Sequence, residues 1–160
     1  MAIELCNVVV NINGVRYERE VEPRLLLSDF IRHELRLAGT HVGCEHGVCG
    51  ACTVRLDGQI VRGCLTLAVQ ADNRSVETIE GLSDSGVLAE LQAAFLERNA
   101  AQCGFCTPGM LLTAHELITA GKPASRTQIR EQLSGNLCRC TGYQAIVDAV
   151  EQVLKKNAPP

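Results

Sequence analysis

Cys44-Glu45-His46-Gly47-Val48-Cys49-Gly50-Ala51-Cys52 packs three thiols into one loop, and a fourth, Cys64, follows a little downstream. Cys-x4-Cys-x2-Cys with a distant fourth Cys is the plant-type spacing for a two-iron, two-sulfide cluster. The sequence on either side reads as a scaffold for that loop. Val8, Val10 and Ile12 alternate with Val9 and Asn11, and Asn13-Gly14 supplies a hairpin turn into a second strand over 15–21. Pro23 stops that strand. After the cysteine loop, 53–56 and 59–62 flank Asp57-Gly58 as a second hairpin, with Cys64 just beyond it, and 75–79 reads as a last strand. Leu26, Leu27, Phe30, Ile31 and Leu35 recur at helical spacing between the two hairpins, with Gly39 near the stop. Two hairpins around one helix predict a ferredoxin-like β-grasp domain over residues 1–79.

Beyond that point the apolar period changes from 2 to about 3.6. Val87, Leu88, Leu91, Phe95 and Leu96 share one helical face. Thr107-Pro108 reads as a cap and first-turn proline opening a second helix to Ala120, closed by Gly121 and Pro123. Ser125 with Gln128 forms a capping box for a third helix ending near Leu133. Thr141 is the expected cap of a fourth, striped by Ile146, Val147, Val150, Val153 and Leu154. The fold class is therefore α+β: the β-grasp domain, a linker at 80–85, then an all-α four-helix bundle over 86–160. Cys103-Gly-Phe-Cys106 falls between the first two of these helices and Cys138-Arg-Cys140 between the last two. A metal held there would staple two helical hairpins together.

Two thiol-rich sets in 160 residues point to electron transfer. Burying a negatively charged cluster is costly without hydrogen bonds. Gly43, Gly47, Gly50 and Gly104 let the backbone curl so that N–H groups can face the sulfurs. For the second set, spacing alone also describes a structural zinc site. His46 invites a Rieske reading, but four thiols already complete its set. His33 and His115 fall on expected helices, and His41 on a loop with no nameable partner. Arg139 is either a charge partner for a cluster or a solvated loop residue. Cys6 is left over from both sets and reads as a small strand residue.

Composition narrows the function classes. Aromatics at 3%, no Trp and a net charge of −3 leave neither stacking platforms nor a basic footprint for nucleic acid. No apolar run reaches membrane-spanning length, and Met1-Ala-Ile-Glu-Leu5 has no basic, apolar leader, which predicts a cytoplasmic protein. Nine cysteines in that reducing compartment argue for metal over disulfides.

The wording of the second set is more specific than metal spacing demands. Gln102-Cys-Gly-Phe-Cys-Thr-Pro-Gly-Met110 and Gly135-Asn-Leu-Cys-Arg-Cys-Thr-Gly-Tyr143 resemble the small iron–sulfur component of the molybdenum hydroxylases, the xanthine oxidase, aldehyde oxidoreductase and carbon monoxide dehydrogenase family. Gly43 to Cys52 is similar to its first cluster loop, so the resemblance spans nearly the whole chain. It implies two 2Fe–2S clusters, one on Cys44, Cys49, Cys52 and Cys64, the other on Cys103, Cys106, Cys138 and Cys140. Electrons would pass from a molybdopterin site, in its cytosine dinucleotide form, on a large partner subunit. They would cross the helical-domain cluster, then the ferredoxin-like one, to FAD on a medium subunit or to another acceptor. The resemblance further implies contact of Gln102 and Cys140 with the pterin, and a dimer of heterotrimers. Gln102 could otherwise be a plain helix C-terminal residue, and the small or rigid residues Gly104, Pro108, Gly109 and Gly142 are expected to let backbone approach the cofactor. The chain would be the iron–sulfur subunit of an oxidoreductase with no complete active site of its own, its substrate set elsewhere. The rivals are a diffusible ferredoxin-type carrier and a zinc-stabilised binding module.

Overall fold

The computed structural model describes residues 4–157; the outer limits of the two predicted domains, at Met1 and Pro160, lie outside the described residues. β1 (Cys6–Ile12) and β2 (Val15–Val21) pair antiparallel with Ile12 opposite Val15, leaving Asn13 and Gly14 as the turn. Both turn residues take positive φ, +54° and +82°, as a type I′ turn requires. β3 (Thr53–Leu56) and β4 (Gln59–Arg62) form the second hairpin, with Asp57 and Gly58 in the same conformation. The last strand is shorter than predicted: β5 (Ser75–Glu77) slots between β1 and β3, parallel to one and antiparallel to the other. The mixed five-stranded order is β2-β1-β5-β3-β4. Val8, Val10, Ile12, Val54, Leu56 and Val76 point into one core with Leu27, Phe30 and Ile31.

The helix expected over 26–35 is different in kind. Leu26 is held in a bridge to Leu67, so α1 begins one residue later and spans only Leu27–Asp29. The chain then widens into a π-helical turn, Phe30–Glu34, in which the Leu35 N–H reaches back to the Phe30 carbonyl.

Five helices fill the second half: α2 (Ile79–Asp84), α3 (Ala89–Glu97), α4 (Thr107–Thr119), α5 (Arg126–Leu133) and α6 (Gln144–Lys156). With α1 they make six α-helices among the described residues, beside a five-stranded mixed sheet, an α+β fold. Residues 80–84 of the expected linker fall within α2, and Ser85 caps its end. Its Gly, Ser and Asp residues favour a loop locally, but Leu82 buries against the helical core and Gly81 packs on the Asn13 side chain. Tertiary packing overrides propensity here. The capping box at Ser125 and Gln128 is present. Two other expected caps are not. Thr107 is already helical and its hydroxyl is buried without a partner, so Pro108 sits one position further in. Tyr143, at φ +67°, precedes α6, and the Thr141 hydroxyl lies between the Cys138 sulfur and the Tyr143 N–H. α4 lies across β3 and β4 and joins the two halves. No helix among the described residues is long and apolar enough to cross a membrane.

Candidate metal centres

Each four-thiol set resolves into two pairs. In the first, the Cys49 N–H faces the Cys44 sulfur and the Cys64 N–H faces the Cys52 sulfur. In the second, Cys103 and Cys140 sulfurs lie 3.5 Å apart and Cys106 meets Cys138. Among the described residues no three Cys, His, Asp or Glu side chains close on one point, so the pair is the geometric unit. Two pairs per set is the ligand arrangement of a two-iron cluster, two thiolates to each iron.

Backbone donors converge on these sulfurs. The Cys49 N–H lies 3.3 Å from the Cys44 sulfur and the Cys64 N–H 3.5 Å from that of Cys52. The Cys49 amide, then that of His46, holds the Cys44 thiol down to about 6, ready as a thiolate. Burial pushes Cys64 up to about 11 and Cys106 up to about 12, and the neighbouring thiol of each pair adds to it. At Cys138 burial also acts upward, but the Thr141 hydroxyl and the Thr141 and Cys140 amides outweigh it and hold the thiol below its usual value. A buried thiol that ionises only with difficulty is stabilised as a ligand by a cation, so these sites fit a metal cluster.

Glycine does different work at different points of the cradle. Gly50 has φ +73°, and a Cβ there would stand 2.3 Å from the Gly135 carbonyl oxygen. A Cβ on Gly109 would stand 2.4 Å from the Gly50 carbonyl, so the start of α4 is small in order to meet the first cysteine loop. That corrects the expectation that Gly109 clears room for an outside cofactor. Gly104 and Gly142 take positive φ in open space.

The remaining sequence candidates separate cleanly. Gln102 is exposed beside Cys103, well past the end of α3, and is therefore a loop residue. Cys140 is exposed on the same rim, as is Arg139. His46 turns its Nδ1 to the Cys44 carbonyl and not to a ligand position. His33 is on the surface, and Cys6 begins β1 half-buried. His41 has a partner after all: it donates to the Phe105 carbonyl at 2.9 Å and stacks on the Phe105 ring at 4.8 Å. Sequence reasoning missed the residues that tie the loops together. Tyr143 accepts the Cys138 N–H on its hydroxyl at 2.9 Å, and Arg62 donates to the Gly135 carbonyl at 2.7 Å. Asn136 is buried between the loops; its polarity beside a ligand cysteine was the available signal.

The domain family described as a 2Fe-2S iron-sulfur cluster binding domain matches residues 10–83, and a second, described as a 2Fe-2S binding domain, matches residues 78–151. Caffeine dehydrogenase subunit gamma of Pseudomonas sp. (strain CBB1) is 54% identical over 149 residues, 91% of this chain and 89% of that protein. The chain belongs to the small iron–sulfur subunits of the molybdenum hydroxylases. Another member, the nicotine 6-hydroxylase small subunit of Paenarthrobacter nicotinovorans, is 54% identical over 141 residues, covering 88% of this chain and 85% of that one. In the crystal structure of quinoline 2-oxidoreductase from Pseudomonas putida 86, a chain with 48% identity superimposes with a TM-score of 0.89, covering 96% of each. Membership makes this an electron-transfer subunit of a molybdenum-dependent oxidoreductase.

Proposed function

We propose that the chain carries two 2Fe–2S clusters, one on Cys44, Cys49, Cys52 and Cys64 and one on Cys103, Cys106, Cys138 and Cys140. Through them electrons leave a molybdopterin site, in its cytosine dinucleotide form, on a large partner subunit for FAD on a medium subunit or another acceptor. The division into a ferredoxin-like unit and a helical bundle, one cluster each, belongs to this reading, as do a dimer of heterotrimers and a cytoplasmic setting. The observation that carries it is the set of backbone N–H groups that face the Cys44, Cys52 and Cys138 sulfurs, with the Cys103 and Cys140 sulfurs 3.5 Å apart.

When bound, each cluster takes up and returns one electron. The protein's own part is to set how readily that happens. The N–H groups of Cys49, Cys64 and Thr141 face sulfur and favour added negative charge, while burial of Cys52, Cys64 and Cys138 opposes it. Gln102 and Cys140, both exposed on the rim of the second set, are the residues that would meet the partner's pterin. Phe105 and Leu137, large apolar side chains about half exposed on that rim, support a protein partner covering it.

Iron and acid-labile sulfide analysis of the purified complex tests the reading. About four of each per chain are expected, with two rhombic paramagnetic resonance signals on reduction. Zinc in place of iron at the second set would end the two-cluster assignment. Gln102→Ala should slow turnover while iron content stays at the parent level.

A further inference from the structure

Asn136 is 1% exposed and uses both ends of its amide. Its Nδ2 donates to the Gly50 carbonyl at 3.0 Å and to the Thr53 hydroxyl oxygen at 3.3 Å. Its Oδ1 accepts from the Thr113 hydroxyl at 2.9 Å. Each partner stands on a ligand-bearing segment. Gly50 lies between Cys49 and Cys52, Thr113 is on the helix that starts directly after Cys106, and Asn136 itself precedes Cys138 by two residues. Alongside, the Leu137 N–H donates to the Cys49 carbonyl at 2.8 Å, so one hydrogen bond joins a ligand of the first set to the neighbour of a ligand of the second. Arg62, two residues before Cys64, clamps the same junction through the Gly135 carbonyl and the Thr53 hydroxyl.

We infer that Asn136 is a positioning residue that fixes the separation of the two cysteine sets, and with it the rate at which an electron crosses between them. The chemistry of the junction asks for an amide. It must donate to a carbonyl on one side and accept from a hydroxyl on the other, at a buried position. A carboxylate would face the Gly50 carbonyl oxygen with a second acceptor, and an apolar side chain of the same size would drop all three contacts. The glycines at 50 and 109 remove the side chains that would hold the segments apart, and Asn136 then locks them at that distance. The inference rests on the two-cluster reading, and its test separates the two.

The complex is purified with Asn136→Leu or Thr113→Val in this subunit, and iron content is measured first. In the fully reduced protein, two neighbouring paramagnets split each other's resonance lines by an amount that falls with the cube of their separation. The splitting should shrink in Asn136→Leu and shrink less in Thr113→Val, with iron unchanged in both. Amide exchange over 135–138 should speed by about tenfold in Asn136→Leu, equivalent to about 1.4 kcal/mol. Full iron with unchanged splitting in both variants would overturn the positioning role, even if exchange quickened, because a purely structural residue would do that much. Should Asn136→Leu fail to assemble, Thr113→Val decides alone: an unchanged splitting there counts against the inference. A parent complex that shows a single cluster fails the functional reading instead.

Discussion

The two cysteine sets solve one problem in opposite ways. The first is written in a single stretch, Cys44 to Cys64, folded as a loop leaning on the β3–β4 hairpin, with Cys52 and Cys64 buried beside the sheet. The second is assembled from two loops that α4 and α5 hold apart in sequence, and half of it, Cys103 and Cys140, lies at the surface. A local cradle can form from its own backbone. A tertiary staple exists only when the helices that carry it are already packed, and in return it holds them. The first set therefore leans on the sheet, whereas the second set cross-links helices that come from separate stretches of chain.

That asymmetry can be broken most directly at the ligands. Cys106→Ser should cost its own cluster and destabilise the helical half by about 2–5 kcal/mol, the scale of removing a native cross-link from a small domain. Cys49→Ser should also lose its cluster, with a smaller fall in stability because its four thiols lie within one stretch of chain and cross-link no separate helices. Thermal unfolding with iron analysis reads both. Loss of the helical-set signal from Cys49→Ser, with the other spared, would show the ligands wrongly grouped.

Exposure gives the next test. In the isolated subunit an iron chelator should strip the second set before the first, because two of its thiols are at the surface; the assembled complex should slow that loss by covering the rim. Resonance spectra taken through the titration follow each signal separately, and simultaneous loss would erase the contrast.

Glycine sharpens it on a smaller scale. Gly50→Ala forces a methyl against the Gly135 carbonyl and should cost about 1–3 kcal/mol by overpacking, beyond its unfavourable φ. Gly142→Ala meets nothing and should cost only the conformational penalty, about 1–2 kcal/mol. Equal shifts in urea midpoint would mean that the loops are not in the close contact described.

The smallest expected effect is a pH dependence where α4 crosses the sheet. Burial, then the nearby Arg55, holds His115 below the usual imidazole value, with Glu77 acting weakly the other way. The unfolded chain takes up this proton more readily than the native one. The stability tied to neutral His115 is thus complete above pH ~6.5 and is lost as pH falls below it. Urea midpoints at about pH 7.5 and about pH 5.5 should differ in the parent and differ less in His115→Gln.

What could be read in the sequence was what depends on neighbours along the chain. The period-2 runs, the Asn13-Gly14 and Asp57-Gly58 turns, the Ser125 capping box and the cysteine spacing are all local and all visible. The π-helical turn at 30–34 was not, since Leu26 is drawn off by Leu67, far along the chain. Nor was α2, whose Gly81 and Ser83 look like linker residues until Leu82 finds the helical core. The cap at Thr141 failed because its hydroxyl also lies against the Cys138 sulfur, and that at Thr107 because the residue is already inside α4. Asn136 lay in plain view within the segment that carries the family resemblance, but its three partners come from places no spacing rule connects.

The middle strand of the sheet is the last one made. β5 lies at the centre of the order β2-β1-β5-β3-β4, parallel to the first strand of the chain and antiparallel to the third. On the ribosome both hairpins emerge complete while the gap between them stays open, and the Cys44–Cys64 stretch is released before the sheet that supports it can close. Domains fold as units during synthesis, so this one waits for residue 77 before its thiols have a fixed frame. Until then the four cysteines of the first set stand on a chain that has not yet joined its two hairpins.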